Sequence, residues 1–214
     1  LGSEAAKKGL PSCPGRASAM LKPPGEKKES TQKSPRPAKE PVQCEVHKEA
    51  VVCSDAKILG LGGVTIGQGT VVHPACQINA KAGPIVIGRY NILEEQVEIT
   101  NSIEEPLVIG DHNTFEVGAK ILGGGSSIGS ANVFECRSQL GLGASVGDGC
   151  TLGVGARLAE GERLPDETVV VDGAGLRHRE GGAREAHVQA VMTHIEVLKE
   201  TLPRCHHLRK SAKA

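Results

Sequence analysis

Along the middle of the chain an aliphatic or aromatic residue recurs at every sixth position. The series runs Val46, Val52, Ile58; Ile66, Val72, Ile78; Ile87, Leu93, Ile99; Ile109, Phe115, Ile121; Ile128, Phe134, Leu140; Val146, Leu152, Leu158. None of these eighteen positions is polar. A helix repeats at 3.6 residues and a strand at 2, so neither alone gives a beat of six. Within each triplet the step is always six, and extra residues enter only between triplets, from 58 to 66, 78 to 87, 99 to 109 and 121 to 128. Insertions confined to one phase of an 18-residue cycle predict a three-sided coil that bulges at one corner. The pattern therefore predicts an all-β solenoid, a parallel β-helix of about six hexapeptide coils with the grid residues inside.

Other slots of the cycle support that assignment. Four residues after a grid position the side chain is mostly small, as at Ala50, Ala56, Thr70, Cys76, Ala119, Ser138, Ala144, Cys150 and Ala156. Asn91, Asn113 and Asn132 fill this slot on one side of three successive coils, where Asn suits a left-handed turn and a hydrogen-bonded stack. Gly67, Gly88, Gly110, Gly129 and Gly147 each follow a first grid residue. Phe115 and Phe134 fall on one side of adjacent coils and are expected to stack in the core. Leu164 and Val170 begin a last partial turn. After the Gly-rich stretch 173–182, Val188, Val191, Ile195, Leu198 and Leu202 stand at helical spacing, with Pro203 as the expected terminator. The expected organisation is a disordered Pro/Lys-rich tail at 1–44, the β-helix at 45–172, a linker at 173–182, a helix at 183–203 packed back on the prism, and a basic tail at 204–214.

Composition sharpens this picture. Aromatics are limited to Tyr90, Phe115 and Phe134, while Gly numbers 28, which suits a repetitive fold with narrow layers. Residues 1–42 carry seven of the twelve prolines and 9 Lys/Arg against 4 Glu, too little apolar surface to order themselves. Ser34-Pro35 in this tail is a candidate proline-directed phosphorylation site. The remainder is mildly acidic and offers no basic stripe for nucleic acid. No run of 18 apolar residues exists to insert in a membrane. The start lacks the apolar core of a secretory signal, and the seven cysteines form no C-x-x-C pair. They read as reduced packing residues.

Hexapeptide β-helices host two familiar chemistries. Acyl transfer uses a histidine near a coil corner; His73, outward beside Pro74, is the candidate, but the longest insertion, 100–107, is short and holds no His. Gamma-class carbonic anhydrases, which the coils resemble in rhythm, place three zinc-binding histidines at positions held here by Thr100, Val117 and Leu122, none of them able to bind zinc. The neighbouring Gln-Asp pair of that family falls on Glu94 and Glu95. "LGGGSSIG" lacks the Lys-Ser/Thr end of a phosphate loop. No catalytic residue, metal ligand or cofactor site is assigned. The one outer feature of note is acidic: Glu94, Glu116 and Glu135 each follow a second grid residue and are expected to stack at steps of about 4.8 Å. Like charges in register destabilise a sheet. The column is read either as a solvated face or as a docking face for a partner bearing Lys or Arg.

Three runs carry a more specific resemblance: Ile92 to Gln96 (ILEEQ), Asn113 to Gly118 (NTFEVG), and Leu202-Pro203 followed by His206-His207-Leu208. Over about Val51 to Lys210 the chain resembles the dynactin subunit 6 family. The resemblance implies a left-handed coil, a C-terminal helix and no enzymatic activity. It also implies pairing with the related β-helix of dynactin subunit 5. The resulting pointed-end complex lies beside subunit 4 at the end of the actin-related filament and helps dynein engage cargo and adaptors. The implied location is the cytoplasm and microtubule cytoskeleton, with the centrosome or the kinetochore as candidate sites. Residues 1–42 fall outside the resemblance, and the stretch 120–147 is richer in Gly than the family leads one to expect. A free hexapeptide enzyme, which requires a homotrimer, and an orphan β-helix scaffold are the competing readings.

Overall fold

The computed structural model describes residues 43–171, 175–178 and 183–209. The expected tail up to residue 42, with Ser34, lies outside the described residues.

Three parallel sheets form the sides of a prism. The first runs from Cys44–Val46 through Val64–Ile66, Ile85–Ile87, Leu107–Ile109, Ser127–Ile128 and Ser145–Val146 to Arg163–Leu164. The second begins at Val51–Val52 and the third at Lys57–Gly60, each gaining one strand per coil. Coil pairs with coil in strict register, Phe115 against Leu93 and Phe134, Ile121 against Ile99 and Leu140. Every grid residue from Val52 to Leu158 is buried, and Val46 at the open end is partly buried against the same core. The Phe115 and Phe134 rings stack inside at 4.7 Å between centroids. The insertions lengthen third-sheet strands to four residues at Lys57–Gly60, Gln77–Ala80, Glu98–Asn101 and Lys120–Gly123. They loop out at the corner beyond.

The corners explain the beat of six. A chain that turns sharply after every short strand needs a residue in the left-handed region. Positive φ recurs at Gly69, Tyr90, His112, Ala131, Gly149 and Glu167 on one corner, and at Ala75, Gln96, Gly118, Arg137 and Gly155 on the next. The left-handed turns expected at Asn91, Asn113 and Asn132 therefore sit one residue earlier. The asparagine side chains instead tie each coil to the next: Asn91 Oδ1 accepts from Asn113 N at 2.8 Å, Asn113 Oδ1 from Asn132 N at 2.9 Å, and Asn132 Oδ1 from Cys150 N at 2.6 Å. Thr70 heads the column, its hydroxyl accepting from Asn91 N. The glycines after the first grid residue answer to close approach. A Cβ on Gly67 would meet the Gly88 carbonyl oxygen at 2.4 Å.

The C-terminal part departs from expectation in three places. Within the expected linker 173–182, Gly175–His178 is a strand, antiparallel to Thr168–Val171, and it closes one end of the second sheet. The helix spans Ala183–Cys205 and carries Pro203 inside it. Proline removes one backbone donor and crowds the preceding turn, but here it sits in the last turn, and His206 N still bonds to Leu202 O at 2.8 Å. The expected tail 204–214 begins as an ordered edge: Cys53 and Leu208 form an antiparallel bridge, with Ser54 N on His207 O and Arg209 N on Val52 O. Both ends of the parallel second sheet are thus capped by antiparallel segments, which shield its outermost parallel strands. Val191, Ile195, Leu198 and Leu202 of the helix pack on Val51, Val71, Ile92 and Cys53, covering that sheet's outer face.

Candidate partner interface

The acidic column lies at the corner between the second and third sheets. Glu94, Glu116 and Glu135 follow the buried Leu93, Phe115 and Phe134 on three successive coils and are each half-buried. Their carboxylates reach along the prism axis. Glu116 Oε2 accepts the backbone N–H of Cys136 at 3.0 Å and faces its thiol at 3.2 Å, and Glu135 Oε2 accepts from Val154 N at 2.9 Å. Glu94 takes a backbone bond from Val117. Each carboxylate therefore satisfies a corner donor of the next coil, a structural role that offsets the like-charge repulsion anticipated from the sequence. Burial first, and then the charge of Glu116, push the Glu94 carboxyl above the ordinary glutamate value. Beside the carboxylates, Val117 and Val154 project into solvent, Val154 at 64% exposure. Sequence reasoning did not find this pair of valines. Their only signal is position, directly after the column slot.

His73 occupies the same column one coil earlier. Its Nδ1 lies 2.8 Å from Glu95 Oε1, an imidazole–carboxylate pair of the sort that serves general-base catalysis. The other nitrogen, Nε2, is buried and has no hydrogen-bond partner among the described residues. A general base must reach the proton it removes, and in this conformation neither nitrogen of His73 is open to a substrate. The adjoining Cys53 is fully buried beneath Leu208 and the helix. Val117 and Leu122, at positions that bind zinc in the gamma-class enzymes, are exposed apolar side chains. Among the described residues no three His, Cys, Asp or Glu are grouped so as to hold a metal ion. No described helix is long and apolar enough to cross a membrane.

Comparison with known proteins settles the lineage. No family model matches the chain. It is 36% identical over 177 residues to dynactin subunit 6 of Danio rerio, covering 77% of this chain and 87% of that protein. Against dynactin subunit 6 of Caenorhabditis elegans the identity is 37% over 172 residues, covering 79% and 90%. The chain belongs to the dynactin subunit 6 family. Solved structures agree on the fold. A hexapeptide transferase family protein from Anaplasma phagocytophilum superposes with a TM-score of 0.66 at 16% identity, covering 75% of this chain and 94% of that one. A putative acetyltransferase of Bacillus cereus gives 0.62 at 21% identity, covering 72% and 88%. At such identities the likeness speaks for the left-handed hexapeptide coil alone. Two of the runs that resemble the family, Ile92 to Gln96 and Asn113 to Gly118, lead from second-sheet strands into the acidic corner. The third, ending in His206-His207-Leu208, closes the edge of the same sheet.

Proposed function

We propose that this chain is a non-enzymatic structural and adaptor subunit of dynactin. In this reading it sits in the pointed-end complex and pairs with the β-helix of dynactin subunit 5. It acts beside subunit 4 and the end of the actin-related filament, in the microtubule cytoskeleton of the cytoplasm, where dynein engages cargo. The observation that carries the proposal is the identity to dynactin subunit 6 proteins over more than three quarters of the chain. The buried Nε2 of His73 supports the non-enzymatic part. The corner of Glu94, Glu116 and Glu135, flanked by Val117 and Val154, is the proposed contact. It suits a partner that presents Lys or Arg beside apolar side chains.

The native mass of the chain in gently lysed cells tests this. Migration in a megadalton particle that also contains subunit 5 is expected. A discrete homotrimer would overturn it and favour the second reading, acyl transfer at the His73–Glu95 pair. Glu116→Gln then tests the contact. Gln keeps an acceptor for Cys136 N and removes only the charge, so unchanged recovery of subunit 5 would remove this corner from the interface.

A further inference from the structure

Along the third sheet the outward positions form two columns, one on the strands and one on the corner that precedes them. The strand column reads Lys57, Gln77, Glu98, Lys120, Gln139 and Arg157, each in register with the next. The corner column reads Asp55, Ala75, Gln96, Gly118 and Arg137. Between them runs a groove of about 660 Å³, lined by residues of both columns from Asp55 to Gln139. Ala75 and Gly118 put no long side chain across it. Arg137 leans into it: a Cβ on Gly118 would meet the Arg137 Cγ at 3.5 Å, so the arginine stem runs back toward the coil of Lys120. Glu98 is already paired with Lys120 at 3.1 Å. Arg137 and Arg157 are exposed and make no ion pair among the described residues. The side-chain amides of Gln77, Gln96 and Gln139 likewise make no hydrogen bond among the described residues. Across the corner, Glu116 and Glu135 are engaged on the backbone donors of Cys136 and Val154. Lys120, Arg137 and Arg157 thus set three cations on three successive coils, with no acid in either column from Lys120 onward.

We propose that this groove holds an extended acidic segment of a partner protein, laid along the prism axis with its carboxylates at Lys120, Arg137 and Arg157. Charge complementarity names the occupant. Arginine suits it, because a planar guanidinium can hold both oxygens of one carboxylate. The shape suits it as well. Five steps of about 4.8 Å from Lys57 to Arg157 span about 24 Å, the length of roughly seven extended residues. Such a segment also needs partners for its backbone N–H and C=O groups, and each of the three glutamine amides offers both a donor and an acceptor. No aromatic side chain lines the groove among the described residues, so it lacks the stacking platform that single-stranded nucleic acid uses.

The groove and the column of Glu94, Glu116 and Glu135 are opposite in charge and share no residue. One chain can therefore hold a basic partner at the one and an acidic partner at the other, and neither contact depends on the other. Exposed ion pairs are individually weak, which makes the contact with the acidic segment a reversible one.

Fluorescence anisotropy of the full chain with a labelled peptide of alternating Glu and Ser, long enough to span the groove, tests the proposal. Saturable binding with a Kd on the order of 100 μM is expected at low salt, and it is expected to weaken as salt screens the pairs. Arg137→Glu and Arg157→Glu are each expected to weaken binding about tenfold, because each turns an attraction into a repulsion. Arg163→Glu, on the first sheet, is expected to leave it unchanged. Lys120 stays in place, since its loss would also release Glu98. Arg137 and Arg157 are exposed, and unchanged thermal melts would show that their variants fold. A chain that binds no peptide at the highest concentration overturns the proposal. Equal binding of the same peptide with Gln in place of Glu overturns it too, as does binding indifferent to both reversals. Tighter binding of an oligothymidylate of the same length would assign the cations to a nucleic-acid backbone and overturn it equally.

Discussion

Glu116 and Cys136 are joined across one coil by a carboxylate that accepts a backbone N–H at 3.0 Å. The bond makes Glu116 part of the wall as well as part of the surface. Glu116→Gln retains an acceptor and is expected to change stability by less than about 1 kcal/mol. Glu116→Lys leaves the Cys136 donor unmet and is expected to cost about 1–3 kcal/mol. Chemical denaturation of the two variants checks this, and equal losses would show that the carboxylate contributes through charge and not through the bond.

The asparagine column makes a sharper comparison. Asn113 uses both ends of its amide, Oδ1 for Asn132 N and Nδ2 for Gly129 O at 3.0 Å. Asn132 uses only Oδ1, for Cys150 N, and its buried Nδ2 has no partner among the described residues. Asn113→Ala therefore strands two backbone groups and is expected to cost about 3 kcal/mol or more. Asn132→Ala strands one and removes an unpaired amide, so its cost is expected to be smaller by at least about 1 kcal/mol. Equal midpoint shifts in urea would contradict this ladder.

How much of this was legible in the sequence depends on which direction the interaction runs. The inward grid was fully legible, because every coil imposes the same demand on the same slot, and insertions at one corner leave the phase intact. The acidic corner was legible as a column but not as a set of bonds. Whether Glu116 reaches Cys136 depends on a neighbour 20 residues away on the next coil, and outer side chains carry no periodic requirement that would reveal it. The position of the left-handed residue was missed by one because Tyr90 and Ala131 carry no compositional mark of positive φ, whereas the neighbouring asparagines do. The helix end was misplaced at Pro203 because a proline in a last turn forfeits only one bond, while Leu202 is held by packing. The edge pairing of Leu208 with Cys53 joins residues far apart in the chain, and nothing local announces it.

The cysteines are expected to react in an order set by burial. Cys76 is fully buried with its thiol on the Glu94 carbonyl at 2.8 Å, and burial pushes its pKa up to about 12. Thiolate is the reactive form, so Cys76 stays unmodified in the folded chain at mildly alkaline pH. Among the described cysteines, Cys205, exposed at the helix end, is expected to be alkylated first. Cys136 is only half-buried, yet its bond to Glu116, followed by burial, raises its pKa and slows it. Mass spectrometry of timed iodoacetamide labelling reads the order, and early labelling of Cys76 would contradict the packed corner.

Glu94 and Glu95 adjoin in sequence and titrate in opposite directions. Burial, then the Glu116 charge, raise the Glu94 carboxyl. Burial also acts to raise Glu95, but the hydrogen bond from His73, a bond from its own backbone and the charges of His73 and His206 outweigh it and hold Glu95 low. A raised acid keeps its proton longer in the folded chain, so its contribution to stability declines as pH climbs from the ordinary glutamate value through the folded one. A lowered acid contributes stability above its unfolded value and loses it as pH falls through the folded one. Glu94→Gln is therefore expected to gain on the parent chain as pH rises past about 4.3, the ordinary glutamate value. Glu95→Gln is expected to fall behind the parent at neutral pH and to close the gap in acid. Urea unfolding of both variants between about pH 3 and pH 7 measures the two differences. Slopes of the same sign would show that His73 and His206 do not stabilise the Glu95 carboxylate.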